Sequence, residues 1–208
     1  MRKCRNCKVK FNPRFKTTEN YCWNSECKEV EINLFFENKK KKESKDWKKE
    51  KKAIKQRLKT HSDFEKELQI LINRIVLLID KDHDCMSCPN NGRPNAGHYH
   101  SVGSNNSLRF NLINNWKQCV HCNQHKSGNI IGYDEGLIKE YGKSFWEFIK
   151  FQIKRDYPLI KLSKEDLEEK KSVARGIIKW LELQDKTYTS MERVRLREKF
   201  NTQLGIYT

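Results

Sequence analysis

Apolar residues are scarce in this chain of 208 residues, of which 36% are hydrophobic and 34% are charged. A composition so poor in apolar side chains argues against one large core, and indicates that metal sites or amphipathic helices supply part of the stability. No stretch approaches the roughly 18 apolar residues that a transmembrane helix requires, so we expect no membrane partner. No apolar run follows the basic N-terminal residues, so we expect no secretory signal and a reducing, cytoplasmic location.

Acidic residues are also in deficit, with 27 Asp and Glu against 43 Lys and Arg and a formal net charge of +16. Positive charges in such excess repel one another unless a polyanion binds, and nucleic acid is the commonest polyanionic partner. The alternative is a soluble basic surface without such a partner. Residues 39–59 alone contain twelve basic and three acidic side chains, a net charge of +9, and this concentration favours DNA.

Glycine and proline are absent from Lys28 to Asp80. Helix formers dominate there, so the sequence predicts a long basic helix, solvated or in contact with DNA phosphates, with a break near Thr60 and His61. We expect a capping box at Ser62–Glu65. Beyond it, apolar residues recur on one helical face: Phe64, Leu68, Leu71, Ile72, Ile75, Leu78 and Ile79. Such a stripe usually packs into a core, but as a seam it would also allow a homodimer.

The eight cysteines form two groups of four. The first comprises Cys4, Cys7, Cys22 and Cys27, and the second comprises Cys85, Cys88, Cys119 and Cys122. Zinc takes four tetrahedral ligands, and a C-x-x-C knuckle presents two thiolates from one tight turn. The spacing therefore predicts two structural Zn²⁺ sites, and it is less consistent with pairs of reduced, buried cysteines.

The first cysteine group encloses a basic and aromatic loop, which predicts a zinc ribbon of about 30 residues that folds around its metal. Its basic side chains are candidates for contacts with DNA phosphates: Lys8, Lys10, Arg14 and Lys16. We expect Phe11 and Phe15 beside them either to stack on exposed bases or to form the small core of the ribbon.

The second cysteine group surrounds residues of the types that phosphodiester hydrolysis needs. His98 and His100 flank a tyrosine, Asn114 lies five residues before Cys119, and Asn123 directly follows the last knuckle. A neutral imidazole suits the deprotonation of water near neutral pH, and a divalent cation neutralises charge at the scissile phosphate. The order resembles the motif of HNH (ββα-metal) nucleases, in which two knuckles brace a histidine-bearing β-hairpin against a short helix.

Three segments, AGHYHSVGS, LRFN and KQCVHCNQHKSGN, are further similar to the NinG (Rap) family of phage lambda recombination endonucleases. The similarity runs from about Cys85 to Asn129. It implies cleavage of branched DNA, such as Holliday junctions and D-loops, with Mg²⁺ or Mn²⁺. It also implies a phage or prophage origin, a bacterial host cytoplasm, and phage recombination proteins as further partners.

The resemblance also implies roles for individual residues. His98 would be the general base, and Asn114 the central asparagine that fixes the hairpin through backbone hydrogen bonds. The catalytic cation would be held by His98 with Asn123 or His125. His100 would be a second ligand or a phosphate contact, and further phosphate contacts would come from Arg109 and Lys126.

One position departs from the HNH pattern. Many HNH nucleases carry Asp or Glu directly before the hairpin histidine, as a metal ligand, whereas this chain has Gly97. We expect the replacement ligand to be Asn95, His100 or Asp84.

Three functions fit these features: a structure-selective DNA endonuclease, an HNH nuclease that nicks DNA without preference for branches, and a zinc-dependent DNA-binding factor without catalysis. A factor that only binds has no need of both His98 and Asn123, so their combination favours an enzyme.

The predicted fold class is α+β and mostly helical, in four parts. These are a zinc ribbon (1–30), a basic helical arm with an amphipathic helix (31–80), a zinc-stapled ββα-metal module (81–132) and C-terminal helices packed on that module (133–208). The C-terminal part predicts one helix from Gly132 to near Pro158, a second from an N-cap at Ser163 to about Leu183, and a third that starts at Thr189 or Ser190 and ends near Leu204. For Arg193, Arg195 and Arg197 a solvated helix face is favoured over phosphate contacts.

Overall fold

The computed structural model describes residues 1–15, 18–90, 92–159 and 161–207. Contacts divide the chain into two compact units, Met1–Lys59 and Thr60–Thr208. The strands are β1 (Arg2–Lys3), β2 (Lys10–Phe11), β3 (Pro94–His98) and β4 (Asn115–Cys119). The helices are α1 (Ser25–Arg57), α2 (His61–Ile79), α3 (Ile130–Tyr141), α4 (Lys143–Glu147), α5 (Ile153–Asp156), α6 (Lys164–Glu182) and α7 (Ser190–Leu204). The prediction of a mostly helical chain with small sheets is confirmed. Within the described ranges, none of these helices has the length and apolar content that crossing a bilayer requires.

The first unit consists of the N-terminal cysteine group and the basic helix. Strands β1 and β2 pair antiparallel around the first knuckle, with Arg2 opposite Phe11. Helix α1 begins where Oδ1 of Asn24 accepts the backbone N–H of Glu26, at 2.9 Å, and its 33 residues extend for about 50 Å. Cys27 is the buried residue of α1, so the arm is a solvated helix rather than part of a core.

The break between α1 and α2 lies where the sequence predicts it, but the capping box does not. Thr60 caps α2, because its side chain accepts the N–H of Asp63 and the Asp63 carboxylate accepts the N–H of Thr60. The predicted box at Ser62–Glu65 is therefore wrong by two residues. Both sequences fit the capping pattern, and the earlier one is used because the helix begins at His61.

The apolar stripe of α2 is core. Its residues pack with those of α6 and α7 in one hydrophobic cluster, and Leu68, Ile72, Ile75 and Val76 are fully buried. This face is therefore filled within the second unit and offers no seam for a homodimer. The amphipathic helix, which the sequence analysis grouped with the basic arm, belongs by its contacts to the unit that carries the second cysteine group.

The C-terminal region forms more helices than predicted. The single helix expected from Gly132 is interrupted at Gly142, whose φ of 87° is left-handed and ends α3. Helix α4, a π-helical turn at Phe148–Gln152 and α5 follow it. The other two predictions are confirmed, since Ser163 caps α6 and Thr189 caps α7.

Two arginines of α7 are buried, contrary to the predicted solvated face. Nη2 of Arg197 lies 2.7 Å from the Asp80 carboxylate at the end of α2, and Arg193 pairs with the other oxygen of Asp80 and with Glu140. Oδ2 of Asp80, the oxygen that pairs with Arg197, also accepts the backbone N–H of Lys117 in β4. This ion-pair network joins α2, α7 and the second hairpin.

Candidate functional site

The second cysteine group is assembled as a metal site. The sulfurs of Cys85, Cys88, Cys119 and Cys122 all lie within 4.8 Å of one another. The backbone N–H of Cys122 points at Sγ of Cys119, at 3.4 Å. Although burial raises the pKa of Cys119, this N–H and its partner thiols lower that pKa overall. Four converging sulfurs with backbone donors are what a tetrahedral Zn²⁺ site needs.

The first cysteine group is assembled in the same way. Its four sulfurs also lie within 4.8 Å of one another, and the backbone N–H of Cys22 lies 3.3 Å from Sγ of Cys4. Desolvation opposes ionisation of Cys4, but backbone N–H groups of Cys22, Cys7 and Asn6 lower its pKa to about 6. The backbone N–H of Asn24 lowers the pKa of Cys22, but burial and neighbouring thiols raise it overall, so only part of the group is poised to ionise without a metal. The convergence of four sulfurs in each group supplies the donors that both predicted zinc sites require.

We expect the purified chain to contain two Zn²⁺ ions, one for each cysteine group. Replacing Cys7 or Cys122 by serine should lower the content by one ion, because three thiolates and a hydroxyl no longer close a tetrahedral site. Elemental analysis by mass spectrometry measures the content. Wild-type protein with one ion, or variants that keep two, would contradict the assignment.

The second group holds a hairpin against a short helical turn. Strands β3 and β4 pair antiparallel, with His98 opposite Asn115 and Pro94 opposite Cys119. A π-helical turn at His121–His125 follows β4 directly. On one face of the hairpin Ala96 packs into the α2–α6–α7 cluster, and on the other Trp116 packs with residues of α3 and α5. The hairpin is therefore held between two cores as well as by the cysteines.

The contacts of His98 define its protonation. Nε2 lies 2.9 Å from the backbone carbonyl oxygen of Arg109, which only accepts hydrogen bonds, so Nε2 carries the proton and Nδ1 keeps its lone pair. Among the described residues nothing is hydrogen-bonded to Nδ1. Burial lowers the pKa of His98 below its ordinary value, the Arg109 carbonyl opposes this, and the Arg109 charge adds to it. The ring is therefore a neutral, oriented base.

Asn114 makes the contacts expected of the central asparagine. Its Oδ1 accepts the backbone N–H of His100 at 2.9 Å, and its Nδ2 donates to the carbonyl oxygens of His100 and Leu108. Asn114 is fully buried. One side chain thus fixes the chain on both sides of the loop that connects the two strands.

Asn123 is attached to the strand that carries His98. Its Nδ2 lies 3.4 Å from the carbonyl oxygen of Ala96, two residues before His98, so its Oδ1 remains as an acceptor. His125 and Lys126 are exposed at the end of the π-helical turn, and the ring of His125 lies 6.0 Å from that of His121. The turn therefore holds an amide oxygen next to the hairpin and exposes an imidazole and an ammonium group at its end.

Two other predicted residues are already engaged within the second unit. Nε2 of His100 lies 2.8 Å from the carbonyl oxygen of Ile149, and its ring stands edge-on to Tyr99. The Arg109 guanidinium lies 2.9 Å from the Glu65 carboxylate of α2. A phosphate role for Arg109 would require it to leave Glu65.

The space beside Gly97 is filled by the side chain of Gln118. A Cβ at position 97 would lie 1.9 Å from Oε1 of Gln118, so an acidic residue there would need Gln118 to move. Nε2 of Gln118 donates to Ser87 and to the Gly128 carbonyl, whereas Oε1 is buried without a hydrogen bond. A residue with a side chain at position 97 therefore fits only if the buried Gln118 side chain shifts.

A catalytic cation would be held by few protein groups. Apart from the two cysteine groups, the described residues contain no cluster of three His, Cys, Asp or Glu with converging donors. Of the replacement ligands expected for Gly97, Asn95 accepts the N–H of Ala96 through its Oδ1 and Asp84 is exposed. Mg²⁺ commonly keeps several waters and binds through one or two side chains and substrate phosphates. Asn123, whose Nδ2 is bonded to the Ala96 carbonyl, keeps a free amide oxygen next to β3.

The predicted phosphate contacts of the N-terminal ribbon are exposed, apart from Lys16, which lies outside the described residues. Lys8 and Lys10 are solvated, and the Arg14 guanidinium lies 4.4 Å from the centre of the Trp23 ring. Phe11 is partly buried, whereas Phe15 is 67% exposed. Phe15 is therefore not a core residue and is free to stack on a ligand.

Comparisons with known proteins place most of this chain in one family. The family model for the bacteriophage lambda NinG protein matches residues 1–184. The chain belongs to the NinG family. Protein ninG of Escherichia phage 933W is 35% identical over 158 residues, which cover 68% of this chain and 76% of that protein. Protein ninG of phage lambda is 41% identical over 88 residues, 41% of this chain and 43% of the relative. Protein ninG of Salmonella phage P22 is 38% identical over 100 residues, 47% and 49% of the two chains. No solved structure matches this chain.

Three residues that shape the site of this NinG-family chain are not apparent from the sequence. Gln118 fills the position beside Gly97. The Tyr133 hydroxyl donates to the Gly97 carbonyl at 2.9 Å, and Asp134 accepts from Tyr99, Trp146 and Lys150. Tyr133 and Asp134 follow the last knuckle by about three helical turns, but no motif marks them, because their partners are distant in the sequence.

Proposed function

We propose that this NinG-family chain is a metal-dependent DNA endonuclease of the HNH type, which hydrolyses phosphodiester bonds in branched recombination intermediates such as Holliday junctions and D-loops. One observation carries the proposal. A hairpin histidine with a protonated Nε2 and a free Nδ1 lies on the strand to which Asn123, beside the last knuckle, is hydrogen-bonded.

His98 acts as the general base. Its Nε2–H is held by the Arg109 carbonyl, so the lone pair of Nδ1 takes a proton from water as that water attacks the phosphorus. The low pKa keeps the imidazole neutral at pH 7. A positioned base contributes about 10²–10⁴-fold to the rate of such a reaction.

Asn114 and the cysteine-bound zinc act by positioning. Asn114 holds the loop after His98 through three backbone hydrogen bonds. The four thiolates link the end of β4 to the segment before β3, so the π-helical turn cannot separate from the hairpin. A catalytic geometry held by buried groups needs no reorganisation when the substrate arrives.

A divalent cation, Mg²⁺ or Mn²⁺, supplies charge neutralisation at the scissile phosphate when bound. Asn123 and His125 are the side chains of this chain that would hold it, with water and phosphate oxygens completing the coordination. His98 is not a direct ligand in this mechanism, because its one lone pair, on Nδ1, takes the proton. Lys126, exposed at the end of the turn, would contact the phosphate.

The charge distribution supports DNA as the substrate. The first unit has twenty basic and eight acidic residues, a net charge of +12 out of the total of +16. Lysines of α1 and of the ribbon neutralise DNA phosphates and release counterions. Most of the positive charge is thus in one unit and the nuclease residues are in the other, so the two units can contact different arms of a branched molecule.

The experiment compares initial cleavage rates on a four-way junction, a D-loop and a linear duplex, each with Mg²⁺ or Mn²⁺. We expect the branched substrates to be cut at least about tenfold faster, since only they offer two arms to the two units. Equal rates on all three substrates would indicate a nuclease without structural preference. Tight junction binding without cleavage in either metal would indicate a binding factor and contradict the proposal.

A further inference from the structure

One face of helix α1 carries large apolar and acidic side chains, whereas the opposite face carries lysines. At 3.6 residues per turn, alternating spacings of four and three residues place six side chains along one seam: Phe36, Lys40, Glu43, Trp47, Glu50 and Ile54. The opposite side carries Lys41, Lys45, Lys48, Lys52 and Lys55. We name the first set the α1 seam. Its spacing is that of the contact positions of a coiled coil.

The apolar residues of the α1 seam are in solvent. Phe36 is 54% exposed, Trp47 is 60% exposed and Ile54 is 39% exposed. Ile32 and Leu58, one turn beyond the ends of the seam, are 53% and 69% exposed. Large apolar side chains in a row on a highly charged helix indicate an interaction surface, because solvation alone does not favour them.

The α1 seams of two copies match each other when the two helices run in opposite directions. When two copies of α1 run antiparallel with Lys45 at the centre, Phe36 meets Ile54 of the second copy and Lys40 meets Glu50 of the second copy. Trp47 meets Glu43 of the second copy, and Ile32 and Leu58 extend the same register. We propose that the α1 seam joins two copies of this chain as an antiparallel helix pair. The symmetry is two-fold, so each contact occurs twice.

The distribution of charge favours pairing through the α1 seam over pairing through any other side of α1. All three acidic residues of the 39–59 segment, Glu43, Asp46 and Glu50, lie on or beside the α1 seam, whereas most lysines lie away from it. The pair therefore keeps its positive charge outside, where salt screens repulsion over a Debye length of about 8–10 Å. We expect the dimer to persist as salt rises, whereas DNA binding weakens steeply.

Sedimentation equilibrium of the full chain without DNA, over a series of protein and salt concentrations, tests the proposal. We expect a reversible monomer–dimer equilibrium. Phe36→Ser should raise the dissociation constant at least about tenfold, because it removes two buried phenyl rings from each dimer. Leu34→Ser is the matched control, since Leu34 is 39% exposed on the other side of α1 and should not change the constant.

A charge exchange tests the register itself. Lys40→Glu and Glu50→Lys should each weaken the dimer by placing like charges together, and the double variant should restore it toward the wild type. A wild-type chain that stays monomeric at all concentrations, or a double variant weaker than both single variants, would overturn the proposal. If the chain is monomeric and Phe36→Ser weakens its binding of single-stranded DNA, the α1 seam contacts DNA bases instead of a second copy. None of these results depends on nuclease activity, so they stand apart from the test of the proposed function.

Discussion

Cleavage by the His98→Ala variant is expected to fall by about 10²–10⁴-fold, the usual contribution of a general base, while affinity for a four-way junction stays within about twofold. The reason is that Nδ1 of His98 has no partner among the described residues, and its Nε2 is oriented by the Arg109 carbonyl. Single-turnover cleavage in Mg²⁺ and a binding titration in EDTA measure the two effects separately.

His83→Ala is the matched control, because Nε2 of His83 also faces a backbone carbonyl, that of Tyr188, but lies outside the proposed site. The wild-type rate should fall on acidification only below the ordinary histidine pKa, since burial lowers the pKa of His98 and the neutral form is the active one. Undiminished cutting by His98→Ala would remove the base assignment and with it the proposed mechanism.

Cys119→Ser is expected to abolish cleavage and to release one zinc ion. A structural zinc contributes about 10–16 kcal/mol of folding free energy, comparable to the whole stability of a domain, about 5–15 kcal/mol. Loss of this zinc should disorder the hairpin and the π-helical turn, while the α2–α6–α7 cluster retains its helices. Hydrogen exchange of the β3 and β4 amides measures the order of the hairpin. Far-ultraviolet circular dichroism measures the helix content that remains.

Cys7→Ser provides the comparison, because it removes a ligand of the first group and should leave hydrogen exchange in β3 and β4 unchanged. Its expected effect is weaker DNA binding, since the ribbon carries Lys8, Lys10 and Arg14. If Cys119→Ser cuts DNA at the wild-type rate, the second zinc is not what holds the nuclease residues together.

Features that depend on residues close in sequence were predictable. The two cysteine groups, the long helix before Thr60, and the caps at Ser163 and Thr189 follow from spacing and composition, and the structure confirms them. Where two local patterns competed, as for the cap of α2, sequence could not choose, because a Ser or Thr followed three residues later by an acidic residue occurs at both Thr60 and Ser62.

The environment of the candidate site was less predictable. His98 and Asn114 were named from their order in the chain, but the tautomer of His98 depends on the carbonyl of Arg109, eleven residues away. Gln118 has no motif, yet its side chain explains why position 97 is glycine. Contacts of this kind arise only when β3 and β4 pair.

By itself, the sequence determined which residues can bind zinc, where the helices run and where the positive charge is concentrated, because each of these properties depends on neighbours along the chain. Tertiary structure alone decided that Arg193 and Arg197 are buried against Asp80 and that Arg109 pairs with Glu65. An arginine on a helix has the same local pattern whether it faces water or a carboxylate. Only the packing of distant segments places that carboxylate beside it and offsets the loss of water around the charge.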